Sequence, residues 1–549
     1  MTEAITIHPK DDVAVALTEI PGGTKVTVNG QEVTVKEYIK SKHKFALKDF
    51  DKGDAIHMYD VTVGVAQDPI KTGEAITTEN LTHKSDTFSI ENRKKVSWSE
   101  PDVSKWEDVT FDGYHREDGQ VGTANYWLVF PLVFCENRNI ETIKKAFNKA
   151  LGFEKEDPYV GMVNTLVDRY ENNNLNGGAI EFEVTESPKP TKKRVFDNID
   201  GIRFLTHQGG CGGIRQDSEI LCRLLSGYIN NPNVAGATVL SLGCQNAQIS
   251  MFRDALKAVN PDLKKPVVIL DQQATGIEKD LITNSISKTF MELVKANQVE
   301  RKPAPLSKLT IGLECGGSDG FSGISANPAI GYTSDLLVAL GGKAILSEFP
   351  ELCGVEQELI NRMDQDEHAE KFVKIMRRYE QSAIDSGSGF DMNPSPGNIK
   401  DGLITDAMKS AGAAKKGGTS PVMDVLDYTE YATKPGLNLL CTPGNDVEST
   451  TGLAGSGANV ILFTTGLGTP TGNPIAPVLK LSSNSHLAKK MPDIIDIDTG
   501  QVITGDKTIE EMGAQILDHI IETASGRKPA KSMELEQYDF IPWKRGISL

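Results

Sequence analysis

Arg203-Phe204-Leu205-Thr206-His207-Gln208-Gly209-Gly210-Cys211-Gly212-Gly213 is the stretch on which the fold turns. An apolar run that reads as a strand ends in a turn too rich in glycine for ordinary core, and a helical pattern, Ser218–Ile229, follows. The same succession recurs downstream: strand-like Ala237–Leu242, helical Ile249–Val259, strand-like Pro266–Leu270, helical Ile277–Ala296 and strand-like Leu309–Leu313. Alternation of this kind specifies a parallel α/β sheet with helices on its faces. Ligands of such sheets bind beyond the carboxyl ends of the strands. Three more turns there repeat the chemistry of the first: Gly243-Cys244-Gln245-Asn246, Glu314-Cys315-Gly316-Gly317-Ser318-Asp319 and Cys441-Thr442-Pro443-Gly444-Asn445-Asp446. The four turns are expected to build one site from several loops.

Outward from this region, a first α/β domain is expected over residues 114–338, with Tyr126–Phe130 as a buried strand and Ile140–Leu151 as an amphipathic helix. Residues 339–549 read as a second α/β domain, with strands at Lys343–Leu346, Leu437–Cys441 and Asn459–Phe463 and helices at Val355–Gln365, Ala369–Ser386 and Thr508–Gly526. Asn172 to Lys193, with a β-like Ala179–Val184, is expected to include an exposed excursion. Residues 1–85 are different. Short β-rich runs alternate there with Pro21-Gly22-Gly23, Asn29-Gly30 and Asp51-Lys52-Gly53-Asp54, the signature of a small all-β module. Residues 86–113 lack a sustained period and read as a linker.

A chain of 549 residues exceeds one core and calls for two to four domains. The net charge of −17 opposes binding to nucleic acid or anionic lipid and favours a small-molecule partner. The start, Met1-Thr2-Glu3-Ala4-Ile5-Thr6, lacks a signal peptide's basic and apolar regions, and no segment is apolar enough to span a membrane, so a cytoplasmic protein is expected, with a homo-oligomer possible. Seven cysteines without a CxxC pair argue for reduced thiols. GxGxxG, GxxxxGK[ST] and HExxH are all absent, which withdraws support from dinucleotide redox, nucleotide hydrolysis and zincin chemistry.

The remaining polar residues suit a polyhydroxylated acid. Glu348, directly after a strand, is placed to ligate a metal or move a proton; the competing reading is a helix-start acid ahead of Val355–Gln365. His207 is an acid/base candidate or a satisfied core histidine. Thiolates at Cys211, Cys244, Cys315 and Cys441 could hold an iron–sulfur cluster or a soft metal, or simply fill tight turns. His8, His43, His57 and His83 all lie in the first module.

Several motifs, in order along nearly the whole chain, resemble the altronate/galactarate dehydratases: Ile7–Leu17, His43-Lys44-Phe45-Ala46-Leu47, Gly113–Tyr126, Thr206–Gly213, Glu314–Asp319, Ala326-Asn327-Pro328-Ala329, Ser347–Glu351 and Ser395-Pro396-Gly397-Asn398. The resemblance implies an N-terminal SAF-type β-clip module ahead of a large α/β catalytic region with mainly parallel sheets. It also implies a hydro-lyase that converts D-altronate to 2-dehydro-3-deoxy-D-gluconate with iron(II) or manganese(II). Galactarate or a related sugar acid, an iron–sulfur hydro-lyase and a non-catalytic sugar-acid binder are the alternatives. On this reading Arg116 clamps the substrate carboxylate, its competing role being a surface ion pair with Glu117 or Asp118. His207 and Cys211 join it as catalytic candidates. Asn125, Gln208, Asp319, Asn327 and Asn398 are expected to bind substrate, and His43 and Glu348 to hold the metal.

Overall fold

The computed structural model describes residues 3–172 and 190–548. The β-like run expected at Ala179–Val184 lies outside them. The N-terminal module is all β: a four-stranded antiparallel sheet (Ala4–Ile5, Val13–Ala16, Lys44–Ala46, Ala75–Ile76), a hairpin (Lys25–Val28, Gln31–Thr34) and a three-stranded sheet (Ala55–Met58, Val61–Ala66, Leu81–Thr82). Lys-Val-Thr-Val alternates exposed and buried, so Val26 and Val28 face the core. The hairpin turn is Asn29-Gly30, both at positive φ, as a right-twisted two-residue connection requires.

Residues 84–109 do not hang free between domains. Phe88, Ile90, Val103 and Val109 pack on the core of the large region. The Ser89 amide donates to Gln357 Oε1 (3.0 Å), Arg93 Nε to the Ile360 carbonyl (3.2 Å) and Trp106 Nε1 to Asp518 Oδ1 (2.8 Å). The segment that lacks periodicity is therefore a bonded strap. Its end, Thr110–His115, enters a three-stranded sheet with Val121–Gly122 and Arg301–Pro305.

Two parallel sheets form the large region. One has four strands in the order Gly201–Phe204, Tyr126–Pro131, Val234–Ser241, Val267–Asp271. The other has seven: Val422–Leu426, Gly436–Leu440, Lys343–Leu346, Thr310–Cys315, Val460–Thr465, Val478–Ser482, Ile497–Asp498. Most of the inner strands are buried end to end, as strands covered by helices on both faces must be. Thr310–Cys315, which the sequence pattern groups with the first α/β set, runs through the interior of the seven-stranded sheet, paired with Lys343–Leu346 and Val460–Thr465. Strand alternation alone cannot show which sheet a strand joins.

The two sheets are locked by helix contact. A Cβ on Gly227 of helix Arg215–Asn230 would lie 2.0 Å from the carbonyl oxygen of Gly455, the last residue of helix Asp446–Gly455. Only hydrogen fits there. The C-terminal tail adds a second tie: Arg545 pairs with Asp427 (2.7 Å), the Gly546 amide donates to Asp217, and Ser548 bridges to Gly213.

Candidate functional site

The carboxyl ends of the inner strands of the seven-stranded sheet converge on one buried cluster. Strand Thr310–Cys315 delivers Glu314 and Cys315, and Lys343–Leu346 leads into Ser347, Glu348 and, after one 3₁₀ turn, Glu351. Gly436–Leu440 leads into Thr442 and Asp446. Helix Asp406–Ala413 supplies Lys409 and the turn after it Lys416. Lys416 Nζ lies 2.6 Å from Glu348 Oε2 and 2.7 Å from Cys315 Sγ; Lys409 Nζ lies 2.5 Å from Glu351 Oε1 and 2.9 Å from Asn393 Oδ1. The Cys315 thiol donates toward Glu351 Oε2 (3.1 Å), while its amide donates to Glu348 Oε2 (3.1 Å). Glu314 Oε2 accepts from Ser347 (2.8 Å) and Ser449 (2.6 Å).

Glu348 adopts φ 66°, ψ 62°, a conformation that L residues other than Asn and Asp seldom take. Its amide donates to Thr442 Oγ1 at 2.8 Å, which anchors the bend and turns the carboxylate inward. Strain of this kind collects where a side chain must point one way. Of the two sequence readings, the helix-start acid fails: the carboxylate caps nothing.

Electrostatics follow from burial and charge. Burial and the charge of Glu351 push Glu348 up, whereas burial of Glu351 is outweighed by Lys409 and Lys416, which hold it below the usual carboxylate range. Of the facing pair, Glu348 is the member that holds a proton more tightly. Burial, then the Glu348 charge, raises Glu314 well above its ordinary value, which favours its protonated form. Burial opposes charge on Lys416 and Lys409 as well, but the surrounding thiol and carboxylates keep both ammoniums charged. Asp446, stacked on the backbone of Gly316 where a Cβ would meet its Oδ2 at 2.2 Å, is pushed up to about 7 by burial and by Glu348 and Glu351.

The donor set can take a cation. Cys315, Glu348 and Glu351 each offer a ligand atom within 4.8 Å of the others, and Glu348 Oε1 and Glu314 Oε1 are buried without a hydrogen-bond partner. His43 belongs to no such group among the described residues. Its Nε2 lies 3.1 Å from the Lys400 carbonyl, at the seam where the N-terminal module meets the end of helix Pro396–Lys400. There Lys42 pairs with Asp319 (2.9 Å) and Lys44 donates to the Gly402 carbonyl (2.5 Å), burial drawing the Lys44 ammonium down to about 7.

The other sequence candidates take different places. Arg116 donates Nε to the Pro232 carbonyl (2.8 Å), Nη1 to Asn125 Oδ1 (2.8 Å) and Nη2 to the Ala124 carbonyl (3.1 Å). These acceptors precede strands Tyr126–Pro131 and Val234–Ser241, the end of the sheet opposite the strand carboxyl ends. Neither the substrate clamp nor the surface ion pair survives: Arg116 is a structural pin. Asn125 is spent on it and on the carbonyls of Asn198 and Ala296. Asn327 joins Thr464 (2.6 Å) to the Gly412 carbonyl, Asn398 closes a capping box with Ser395, and Asp319 accepts from Ser322, Ser483, Asn484 and Lys42. Asn327 thus ties strand Val460–Thr465 to helix Asp406–Ala413 and the other two hold turns, each polar atom of the three side chains having a protein partner.

His207 is buried, its Nε2 at 2.8 Å from the Pro131 carbonyl and its Nδ1 accepting from the Gly209 amide; burial lowers it to about 4. It is a satisfied core histidine. Gln208 and Cys211 are exposed and line, with Asp217, Glu448 and Trp543, a cavity of about 540 Å³ between the two α/β units. The four cysteine-bearing turns thus divide between two sheets and do not close on one point. Missed by the sequence reading as site residues were Glu314, Glu351, Lys409, Lys416 and Asp446. The signal for Lys416 is a lysine pair inside the small-residue run Ala411–Gly418, where a charged side chain has to be paired if buried.

Family models agree with this layout. The altronate/galactarate dehydratase SAF domain matches residues 2–84, the second domain of D-galactarate dehydratase/altronate hydrolase matches 113–297, and the C-terminal domain of D-galactarate/altronate dehydratase matches 306–548. The chain belongs to the D-galactarate/altronate dehydratase family. As a member it is an enzyme of the hydro-lyase class, built as a small SAF module on a large α/β region. Altronate dehydratase of Escherichia coli (strain K12) is 34% identical over 99% of both chains. Altronate dehydratase of Bacillus subtilis (strain 168) is 34% identical over 96% of both. Galactarate dehydratase (L-threo-forming) of Escherichia coli is 30% identical over 95% of this chain and 93% of its own. No helix among the described residues is long and apolar enough to cross a membrane.

Proposed function

We propose that this enzyme dehydrates a 2,3-dihydroxy sugar acid, D-altronate first, to 2-dehydro-3-deoxy-D-gluconate. The observation that carries the reading is the convergence of Glu348, Glu351, Asp446, Lys409 and Lys416 at the strand carboxyl ends. Similarity to the altronate dehydratases over nearly the whole chain supports the choice of substrate.

The reaction removes the weakly acidic C2 proton and expels the C3 hydroxyl; the C2–H electrons become the C2–C3 double bond, and the resulting enol tautomerises to the 2-keto acid. A base poised near neutrality is needed, and Asp446, at about 7, matches it. The leaving hydroxyl needs a proton, and Glu314, whose carboxyl is raised well above its ordinary value by burial, is the donor in this scheme. Negative charge that builds on the substrate carboxylate as C2 loses its proton is met by Lys409 and Lys416 in a dry site, where a fixed ammonium acts strongly. Cys315, Glu348 and Glu351 would hold a divalent ion, iron(II) or manganese(II), whose Lewis acidity would further favour the enediolate.

The test is an anaerobic screen of sugar acids with added iron or manganese, following 2-keto acid formation, with Glu348→Gln as control. D-altronate should be turned over fastest, and the control should lose at least about a hundredfold. Preference for galactarate would move the substrate assignment. Binding without turnover of any sugar acid would sink the catalytic reading, and acid-labile sulfide would point to the iron–sulfur alternative.

A further inference from the structure

A second group of ligating side chains lies outside the cluster around Glu348. His83 follows the last strand of the SAF module, Cys353 ends the 3₁₀ turn Phe349–Leu352, and Asp406 opens helix Asp406–Ala413. One ligand atom from each lies within 4.8 Å of the others.

Its charge balance differs from that of the cluster already described. There, two ammoniums neutralise the carboxylates. Here, among the described residues, neither an ammonium nor a guanidinium pairs with Asp406, although the side chain is 1% exposed. Its Oδ1 accepts from Ser410 (3.2 Å), while Oδ2 has no partner of good hydrogen-bond geometry and the carboxyl's other close polar neighbour is the Cys353 thiol itself. Lys409, one helical turn on, is committed to Glu351 and Asn393. The charges that act on Cys353 are Asp406 and Glu356, and on His83 Asp391, all of them acidic. Burial pushes the Asp406 carboxyl well above its ordinary range, and a cation at its unmatched oxygen would let it ionise beside the thiol. Burial lowers the His83 pKa and so favours the neutral ring, whose one lone-pair nitrogen is the ligand; the contact of Nδ1 with the Ala407 amide is long, at 3.4 Å.

We propose that His83, Cys353 and Asp406 form a metal site for a borderline-soft divalent ion, zinc(II) or iron(II), that fastens the SAF module to the large α/β region. One nitrogen, one sulfur and one oxygen ligand suit such an ion, with water in the fourth position. Binding forms a metal–sulfur bond, and the thiol proton passes to solvent.

Cobalt(II) added to the chelator-treated full-length protein is the probe, read by the thiolate-to-cobalt charge-transfer absorption. Because Cys315 could give a band of its own, the band is read in Cys315→Ser, where it should appear, and in Cys315→Ser with Cys353→Ser, where it should vanish. Alkylation of Cys353 in the unmutated protein, read by peptide mass spectrometry, needs no variant: with zinc(II) at about ten times its dissociation constant, labelling should slow about tenfold. Absence of the band in Cys315→Ser, its survival in the double variant, or unslowed labelling of Cys353 under zinc(II) would each overturn the site.

Discussion

Replacing Arg116 by lysine separates a substrate contact from a structural pin. The guanidinium serves three acceptors that point at three different nitrogens, at 2.8, 2.8 and 3.1 Å. An ammonium is a single point donor and can keep one of these contacts, leaving two of the Pro232 carbonyl, the Asn125 amide oxygen and the Ala124 carbonyl without their donor. A hydrogen bond to a charged group contributes about 1.5–3 kcal/mol, and partial access of water offsets some of it, so Arg116→Lys should cost about 2–4 kcal/mol of stability. For a domain of this size that is a fall in melting temperature of roughly 4–16 °C. Turnover, measured well below the melting point, should stay within about twofold, because the pin sits at the amino ends of the strands, away from the Glu348 cluster. Calorimetry or thermal denaturation, paired with steady-state kinetics, decides the matter. Unchanged melting with kcat/KM reduced by a factor of about 30 or more would refute the structural role and return Arg116 to the substrate.

Asp446 binds its proton more tightly in the folded chain than in the unfolded one, so its contribution to stability is full below the ordinary value of 3.8 and is lost as pH rises through about 7. Asp446→Asn should flatten that decline in denaturant titrations across the range and lose turnover by about a hundredfold or more; an unaltered pH–stability profile would show that the carboxyl is not perturbed. His43→Ala should cost about 1 kcal/mol, the bond to the Lys400 carbonyl, and leave bound metal per chain unchanged; loss of metal from the Glu348 cluster would restore His43 as a ligand. Chelation should abolish turnover, with iron(II) or manganese(II) restoring it, whereas full activity in a sample that elemental analysis shows to be metal-free would end the proposed requirement.

The strands and helices were readable because their periods differ and because glycine-rich turns mark the strand ends. Sheet membership was not, since hydrogen-bonded neighbours such as Glu314 and Thr464 are far apart in sequence. Glu348 could be singled out because it follows an apolar run directly. Lys409 and Lys416 arrive from a helix and a turn after the sheet's second strand, and nothing local reveals that they point at Glu351 and Glu348. Arg116, Asn125, Asn327 and Asn398 were misread for a shared reason. A polar side chain in a glycine-rich stretch looks available for a ligand, and only the coordinates show the backbone carbonyls and amides that occupy it.

The seven-stranded sheet also has a cost in time. Strand Thr310–Cys315 is buried along its whole length, yet one of its two neighbours is made much later: Glu314 and Thr464 stand 150 residues apart. At about 5–20 residues per second of synthesis, an apolar strand with one open edge waits roughly 8–30 s on the ribosome before Val460–Thr465 can cover it. Long-range parallel pairing of this kind is slow and prone to aggregation. Nascent chains stalled after Leu346 should therefore be captured by chaperones and cut by proteases far more readily than chains stalled after Ser482, and the yield of this enzyme in a foreign host should follow chaperone supply more closely than codon choice.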